Sequence, residues 1–95
     1  MHEQGTELPT PEAIERAVRK FLDENFPLGD GLTVSRGDSL QDAGVIDSVG
    51  VLELIGFLEQ RYGLEISDAE VLPENLDSIA GVTQFVTAKL GRTEP

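Results

Sequence analysis

The sequence predicts an all-α fold of three main helices and one short helix, with a long loop between the first two. Apolar residues recur at helical spacing in three separate stretches, and residues that commonly cap helices precede each stretch. Convincing alternation of apolar and polar residues, as expected for strands, is absent from the sequence. Since the chain has 95 residues, of which 39% are apolar, we expect one small globular domain.

The first helix is predicted to begin after Thr10, the expected N-cap, with Pro11 in the first helical position. Proline is tolerated there because its missing N–H would have no partner in the helix. The helix is expected to end near Asn25, before Pro27. Its apolar face consists of Ile14, Val18, Phe21 and Leu22.

Residues 27–46 form the predicted long loop. Such loops are uncommon in small domains and are more often functional. We expect this one to be held against the core, because apolar residues occur throughout it. These are Leu28, Leu32, Val34, Leu40, Val45 and Ile46.

The second main helix is expected to begin at Asp47 or Ser48 and to end near Tyr62, with Gly63 as its C-cap. A short helix is predicted to follow in the sequence SDAEV, because the first serine and the glutamate have the spacing of a capping box.

Pro73 and Asn75 are then expected to break the chain before the last helix. Asp77 or Ser78 is the predicted N-cap of that helix, and Gly91 closes it. Its apolar residues are Ile79, Val82, Phe85, Val86 and Leu90.

The folded domain is therefore expected to span residues 10–91, between a flexible tail at 1–9 and a short tail at 92–95. The chain contains no cysteine, no apolar stretch of membrane-spanning length and no signal-peptide pattern. We expect a cytoplasmic, monomeric protein. Eighteen acidic residues against seven basic ones give a net charge of −11. This charge disfavours nucleic acid and anionic membranes as partners, and favours basic surfaces on other proteins.

Ser48 stands between an aspartate and a strongly apolar run, so it could be a nucleophile, a helix cap or an attachment point. Catalysis is disfavoured, because the only histidine is His2 in the tail and no G-x-S-x-G motif is present. The nearby aspartates do not follow a calcium-loop pattern, so we predict neither catalytic nor metal-binding residues.

Helix capping is the main structural alternative for Ser48, because serine is common at helix N-termini. Two features favour attachment. A helix N-terminus suits a phosphate group bonded to that serine, and Gly50, which has no side chain, is expected to leave room for a partner to approach the hydroxyl. The residues alone leave both interpretations open.

The second helix carries more apolar residues than one buried face can hold. Its inward-facing residues are expected to be Val51, Leu54, Ile55, Leu58 and Tyr62. The opposite face, here called the outer strip, consists of Val49, Leu52, Glu53, Gly56, Glu59 and Gln60. An apolar strip edged with carboxylates suits transient docking to a basic, partly apolar surface.

The run DSLQDAGVIDSVGVLELIGFLEQRYGLEIS resembles the acyl and peptidyl carrier proteins, which are four-helix bundles. Asp47-Ser48-Val49 matches the triplet that opens their second helix, and Glu53-Leu54 matches the following pair. Residues 62–66 match the pattern that closes the run. The similarity extends over roughly residues 11–90.

This resemblance implies that Ser48 carries 4'-phosphopantetheine, transferred from coenzyme A by a phosphopantetheinyl transferase. The arm's thiol would hold an acyl or aminoacyl group as a thioester, so the protein would be a carrier and not an enzyme. Asp47 would help the transferase and its metal recognise the site. The implied docking residues are Val49, Leu52, Glu53, Gly56, Glu59 and Ile66.

Departures from the family pattern indicate the type of carrier. Gly56 lies where fatty-acid carriers usually have a bulky apolar residue, and Gln60 and Arg61 interrupt their typical acidic run. The I-D-S-x-G element is closer to free-standing carriers of polyketide and nonribosomal peptide pathways. Such carriers are loaded by an adenylating ligase or acyltransferase and then deliver their cargo to a downstream synthase. The alternatives are a fatty-acid carrier and an acidic helical interaction module without a prosthetic group.

Overall fold

The computed structural model describes residues 8–26 and 34–91, and within them the fold is all-helical, as predicted. A 3-10 turn at Asp68–Glu70 precedes the third helix. The helices are α1 (Pro11–Asn25), α2 (Ser48–Tyr62), α3 (Pro73–Leu76) and α4 (Ile79–Gly91).

Some predictions lie outside the described residues. They concern most of the N-terminal tail, the C-terminal tail at 92–95, His2, and the loop residues Leu28 and Leu32. The domain boundaries at 10 and 91 therefore remain predictions.

Helix α1 begins as predicted. The Thr10 hydroxyl oxygen accepts a hydrogen bond from the Ala13 N–H at 3.1 Å, and Pro11 is the first helical residue. The helix buries Ile14, Val18 and Leu22 completely, because these residues recur at helical spacing on one face. This face forms one side of the core and packs chiefly against α4.

Helix α2 also has its predicted bounds, and Gly63 ends it in the left-handed conformation, with φ of +67°. Leu54 and Leu58 are fully buried. The other predicted inward-facing residues are partly buried and pack against the same core; they are Val51, Ile55 and Tyr62. Phe57 of α2 stacks on Phe21 of α1, with ring centroids 4.4 Å apart.

The segment after α2 confirms one prediction and contradicts another. The Ser67 N–H donates to the Glu70 carboxylate at 2.9 Å, as the capping-box spacing predicted. The expected break at Pro73 and Asn75 is wrong, because Pro73–Leu76 forms a helical turn. Pro73 takes the first helical position, where a missing N–H is harmless, and the Asn75 amide donates to the Glu70 carbonyl at 2.9 Å.

Ser78 caps α4, as one of the two predicted candidates. Its hydroxyl oxygen accepts a hydrogen bond from the Gly81 N–H at 2.9 Å. Asp77 is thereby left available for other contacts. The apolar face of α4 buries Ile79, Val82 and Val86 completely, between α1 and α3.

The described part of the long loop is held against the core, as predicted. Its buried residues are Val34, Leu40, Val45 and Ile46. Glu15 of α1 accepts a hydrogen bond from the Arg36 guanidinium at 2.8 Å. This bond is the main reason that the pKa of Glu15 lies below its usual value.

Two glycines of α2 have opposite surroundings. A Cβ atom at Gly50 would lie 2.6 Å from Ile46 Cγ1 and 2.9 Å from Phe26 Cε1, whereas one at Gly56 would meet no atom within 4 Å. The expectation that Gly50 leaves room for a partner at the Ser48 hydroxyl is therefore wrong. Gly50 is buried, and it allows the loop and the end of α1 to pack against the start of α2.

The same substitution at these two glycines should change stability in opposite directions. We expect Gly56→Ala to raise the free energy of unfolding by about 0.5–1 kcal/mol, because alanine favours an exposed helical position. Gly50→Ala should lower it by about 1 kcal/mol net, since overpacking outweighs the gain in helix propensity. Urea denaturation of both variants and the parent measures the two changes. A stabilising Gly50→Ala would contradict the packing described for this position.

Candidate functional site

Asp47, and not Ser48, caps helix α2. The Asp47 backbone is extended, with φ of −113° and ψ of −173°, and its carboxylate accepts the Gly50 N–H at 2.8 Å. Its carbonyl oxygen accepts the Val51 N–H at 2.9 Å, which is the first bond of the helical ladder. The interpretation of Ser48 as the cap is therefore wrong.

Ser48 is the first residue of α2 and is exposed to solvent. Its hydroxyl makes no hydrogen bond to any other residue that the structure describes. The side chain therefore has no evident structural task in this part of the chain. A group bonded to its oxygen would replace no hydrogen bond among these residues, and it would lie beside the positive end of the helix dipole.

Most of the outer strip is exposed, as predicted. Val49 and Leu52 expose 63% and 66% of their surface. Glu53, Gly56 and Gln60 are exposed beside them. The strip begins next to Ser48 and continues toward the C-terminal end of α2.

Glu59 departs from the expected exposure. It is partly buried, and its carboxylate accepts the Ile66 N–H at 2.9 Å. This bond fastens the segment after α2 to the helix, so Glu59 has a structural role whatever else it contacts. Ile66 itself is partly buried against the core.

Two concave surfaces flank the start of α2. A groove of about 550 Å³ lies on the side of the α1 end, where Phe26, Ile46 and Val49 contribute apolar surface and Asp47 and Glu53 contribute carboxylates. A smaller cavity of about 170 Å³ lies toward α3. It is lined by Gln41, Val51, Val71, Leu72, Pro73, Leu76 and Asp77.

The described residues contain no group of three or more histidine, aspartate or glutamate side chains placed to hold a metal ion. Within the same residues, no helix is both long enough and apolar enough to cross a membrane.

Sequence reasoning missed two features of the smaller cavity. The exposed apolar residues Val71 and Leu72 form a wall of the smaller cavity. Val71 ends the stretch SDAEV, for which the sequence predicts only a short helix, and Leu72 lies between that stretch and the break predicted at Pro73. Asp77 was considered only as a helix cap, whereas its carboxylate contacts the loop that leads to α2. The aspartate-serine pair at 77–78 was a visible signal, but it did not indicate which of the two residues caps the helix.

The comparison with known families agrees with this geometry. A family model described as "Phosphopantetheine attachment site" matches residues 12–86, which is most of the chain and includes the whole of α2. Proteins of this family carry covalently attached 4'-phosphopantetheine and are carriers, not catalysts. They interact with phosphopantetheinyl transferases and with synthase enzymes. The chain belongs to this phosphopantetheine-attachment family of carrier proteins.

Proposed function

We propose that Ser48 is the attachment site of the phosphopantetheine arm, and that the chain carries an acyl or aminoacyl group between biosynthetic enzymes. The observation that carries this assignment is the exposed Ser48 hydroxyl, unbonded among the described residues, at the start of a helix that Asp47 caps. The position also falls within the residues that match the family.

The residues at this position fit such a group. The Ser48 oxygen would form the ester bond to the phosphate, and the first turn of α2 would offer partial positive charge to it. Asp47 keeps that turn in place through its bond to the Gly50 N–H. When attached, the arm supplies a thiol that holds the cargo as a thioester.

We assign Asp47 a second role, in recognition by the transferase and its metal. The carboxylate is exposed next to the hydroxyl that would be modified, and only one of its oxygens, Oδ1, bonds to Gly50. A metal ion brought by the transferase would be a suitable partner for the other oxygen, since carboxylate oxygens are ligands that Mg²⁺ prefers.

The outer strip is the surface that we propose for docking of the transferase, the loading enzyme and the downstream synthase. Its exposed part combines Val49 and Leu52 with the Glu53 carboxylate and the bare backbone at Gly56. Such a small, mixed surface favours short-lived complexes, which a shuttle requires because it must leave each enzyme quickly. Ile66 and Glu59 are partly buried, so only part of each side chain is accessible. We therefore expect them to contribute at the edge of this surface.

We further propose that the carrier is a free-standing one of polyketide or nonribosomal peptide biosynthesis, loaded by an adenylating ligase or an acyltransferase. Gly56 supports this type, because it leaves a flat, exposed position where fatty-acid carriers usually have a bulky side chain. Gln60 and Arg61 are also exposed and interrupt the acidic run of the fatty-acid type.

Incubation with coenzyme A and a transferase of broad specificity tests the attachment site. We expect the intact mass to rise by one phosphopantetheine group, and peptide mapping to locate that group on Ser48. Ser48→Ala should abolish the gain, whereas Ser35→Ala, which changes another exposed serine, should retain it. A folded parent protein that gains no mass would favour an acidic interaction module without a prosthetic group.

Loading experiments with the holo protein, which carries the phosphopantetheine arm, then test the proposed pathway. Mass detection of a loaded thioester after incubation with adenylating ligases and candidate amino or carboxylic acids would support the proposed type. Loading by the malonyl transferase of a fatty-acid synthase, with no loading by any ligase, would assign the chain to fatty-acid synthesis instead.

Charge reversal at Glu53 should slow modification without destabilising the fold. We expect Glu53→Lys to lower kcat/KM of the transferase by roughly 3- to 10-fold, with a smaller effect at high salt, because the exposed carboxylate steers association. The free energy of unfolding should change by less than about 0.5 kcal/mol. Glu65→Lys is the matched control, since it makes the same charge change at an exposed residue outside the outer strip. Equal kinetics for both variants would count against docking at Glu53.

A further inference from the structure

One residue at the junction of α3 and α4 binds the loop that leads to Ser48. The Asp77 carboxylate accepts a hydrogen bond from the Ser39 hydroxyl through Oδ2, and another from the Gln41 N–H through Oδ1 at 3.0 Å. The Asp77 carbonyl oxygen accepts the Leu40 N–H at 2.7 Å. Three consecutive loop residues thus converge on Asp77, and we call this set of contacts the Asp77 latch.

The latch continues toward the attachment site through Leu40. This residue is fully buried, and its carbonyl oxygen accepts the N–H groups of Val45 at 2.9 Å and Ile46 at 3.3 Å. Ile46 is buried in turn and lies next to Gly50 in the first turn of α2. Asp47 and Ser48 follow directly, so bonded and packed contacts lead from Asp77 to the start of α2.

The Ser39 hydroxyl donates one hydrogen bond and accepts another. It donates to Asp77 and accepts the N–H of Asp42 at 3.1 Å, so the same side chain ties down the turn at 39–42 and fastens it to the α3–α4 junction. Hydrogen bonds to a charged carboxylate are stronger than those between neutral groups. The Asp77 carboxylate is available for them because Ser78, and not Asp77, caps α4.

We propose that Asp77 is a positioning residue for the modification of Ser48. Its carboxylate holds residues 39–46 on the α3–α4 junction, and thereby holds the start of α2 in the single orientation that a transferase recognises. This inference rests on the proposed attachment at Ser48. Asp77 touches neither the hydroxyl nor the arm, and it acts only through the loop.

Steady-state kinetics of the transferase, with the carrier as the varied substrate, test this inference. Asp77→Ala removes the two carboxylate bonds of the latch and keeps only the bond from the Leu40 N–H to the backbone carbonyl of residue 77. The loop then samples other arrangements, and the apparent affinity falls with the fraction of molecules in the competent one. We expect Asp77→Ala to raise KM for the carrier by roughly 5- to 10-fold, with kcat within about twofold of the parent. Asp77→Asn should be intermediate, because an amide can still accept the Gln41 N–H and donate to the Ser39 oxygen.

Asp42→Ala is the matched control. It removes one exposed carboxylate from the same loop and leaves the backbone N–H that bonds to Ser39. We expect parental KM and kcat for this variant. Hydrogen exchange on the folded proteins should show faster exchange of the Gln41 and Val45 amides in Asp77→Ala, with the Val86 amide in α4 unchanged. That pattern separates a local opening of the loop from a general loss of stability.

The outcomes separate this inference from the proposed function. If the folded parent gains no group at Ser48, the attachment proposal and this inference fail together. If the parent is modified but Asp77→Ala has the parental KM, or loses kcat at unchanged KM, only the inference fails. If Asp77→Ala does not fold, the KM values of Asp77→Asn and Ser39→Ala test the inference instead. Ser39→Ala removes one latch bond together with the acceptor of the Asp42 N–H, and it should raise KM by roughly 2- to 3-fold. Parental KM in both variants would overturn the inference.

Discussion

The hydrogen bond between the Gly50 N–H and the Asp47 carboxylate is the contact on which the site depends. It begins α2 without using the Ser48 side chain, so the hydroxyl lies exposed on the first helical residue. The same turn cannot shift easily, because Gly50 is packed against Ile46 and Phe26 with no room for a Cβ atom. A packed helix start thus carries a serine whose hydroxyl makes no hydrogen bond to any residue that the structure describes.

The two long faces of α2 differ in burial. Its inner face, centred on Leu54 and Leu58, holds the helix in the core. Its outer face leaves Val49 and Leu52 exposed next to Ser48, so these two side chains are not part of the core. Glu59 lies between these faces, since it is partly buried and bonds to the Ile66 N–H. If the outer strip docks partner enzymes as proposed, stability and recognition use largely different side chains of one helix, and Glu59 contributes to both.

The sequence predicted the long helices well, because apolar spacing and caps such as Thr10 are local signals that the packed fold also satisfies. It predicted less well where two neighbouring residues could do the same task. Three aspartate-serine pairs occur, and Asp47 is the cap in one pair while Ser78 is the cap in another. In the third, Ser39 bonds to Asp77, a contact between residues far apart in sequence that no local pattern encodes. The prediction of a break at Pro73 is wrong because proline is also favoured in the first turn of a helix, which is where Pro73 lies.

The central claim is that Asp47 supports the helix start and Ser48 does not, which leaves the serine available as a tether. Urea denaturation of Asp47→Ala and Ser48→Ala apo proteins tests it most directly. The account predicts that Asp47→Ala lowers the free energy of unfolding by about 1 kcal/mol, as loss of a cap does, while Ser48→Ala stays within about 0.5 kcal/mol of the parent. A loss in Ser48→Ala as large as that in Asp47→Ala would contradict it.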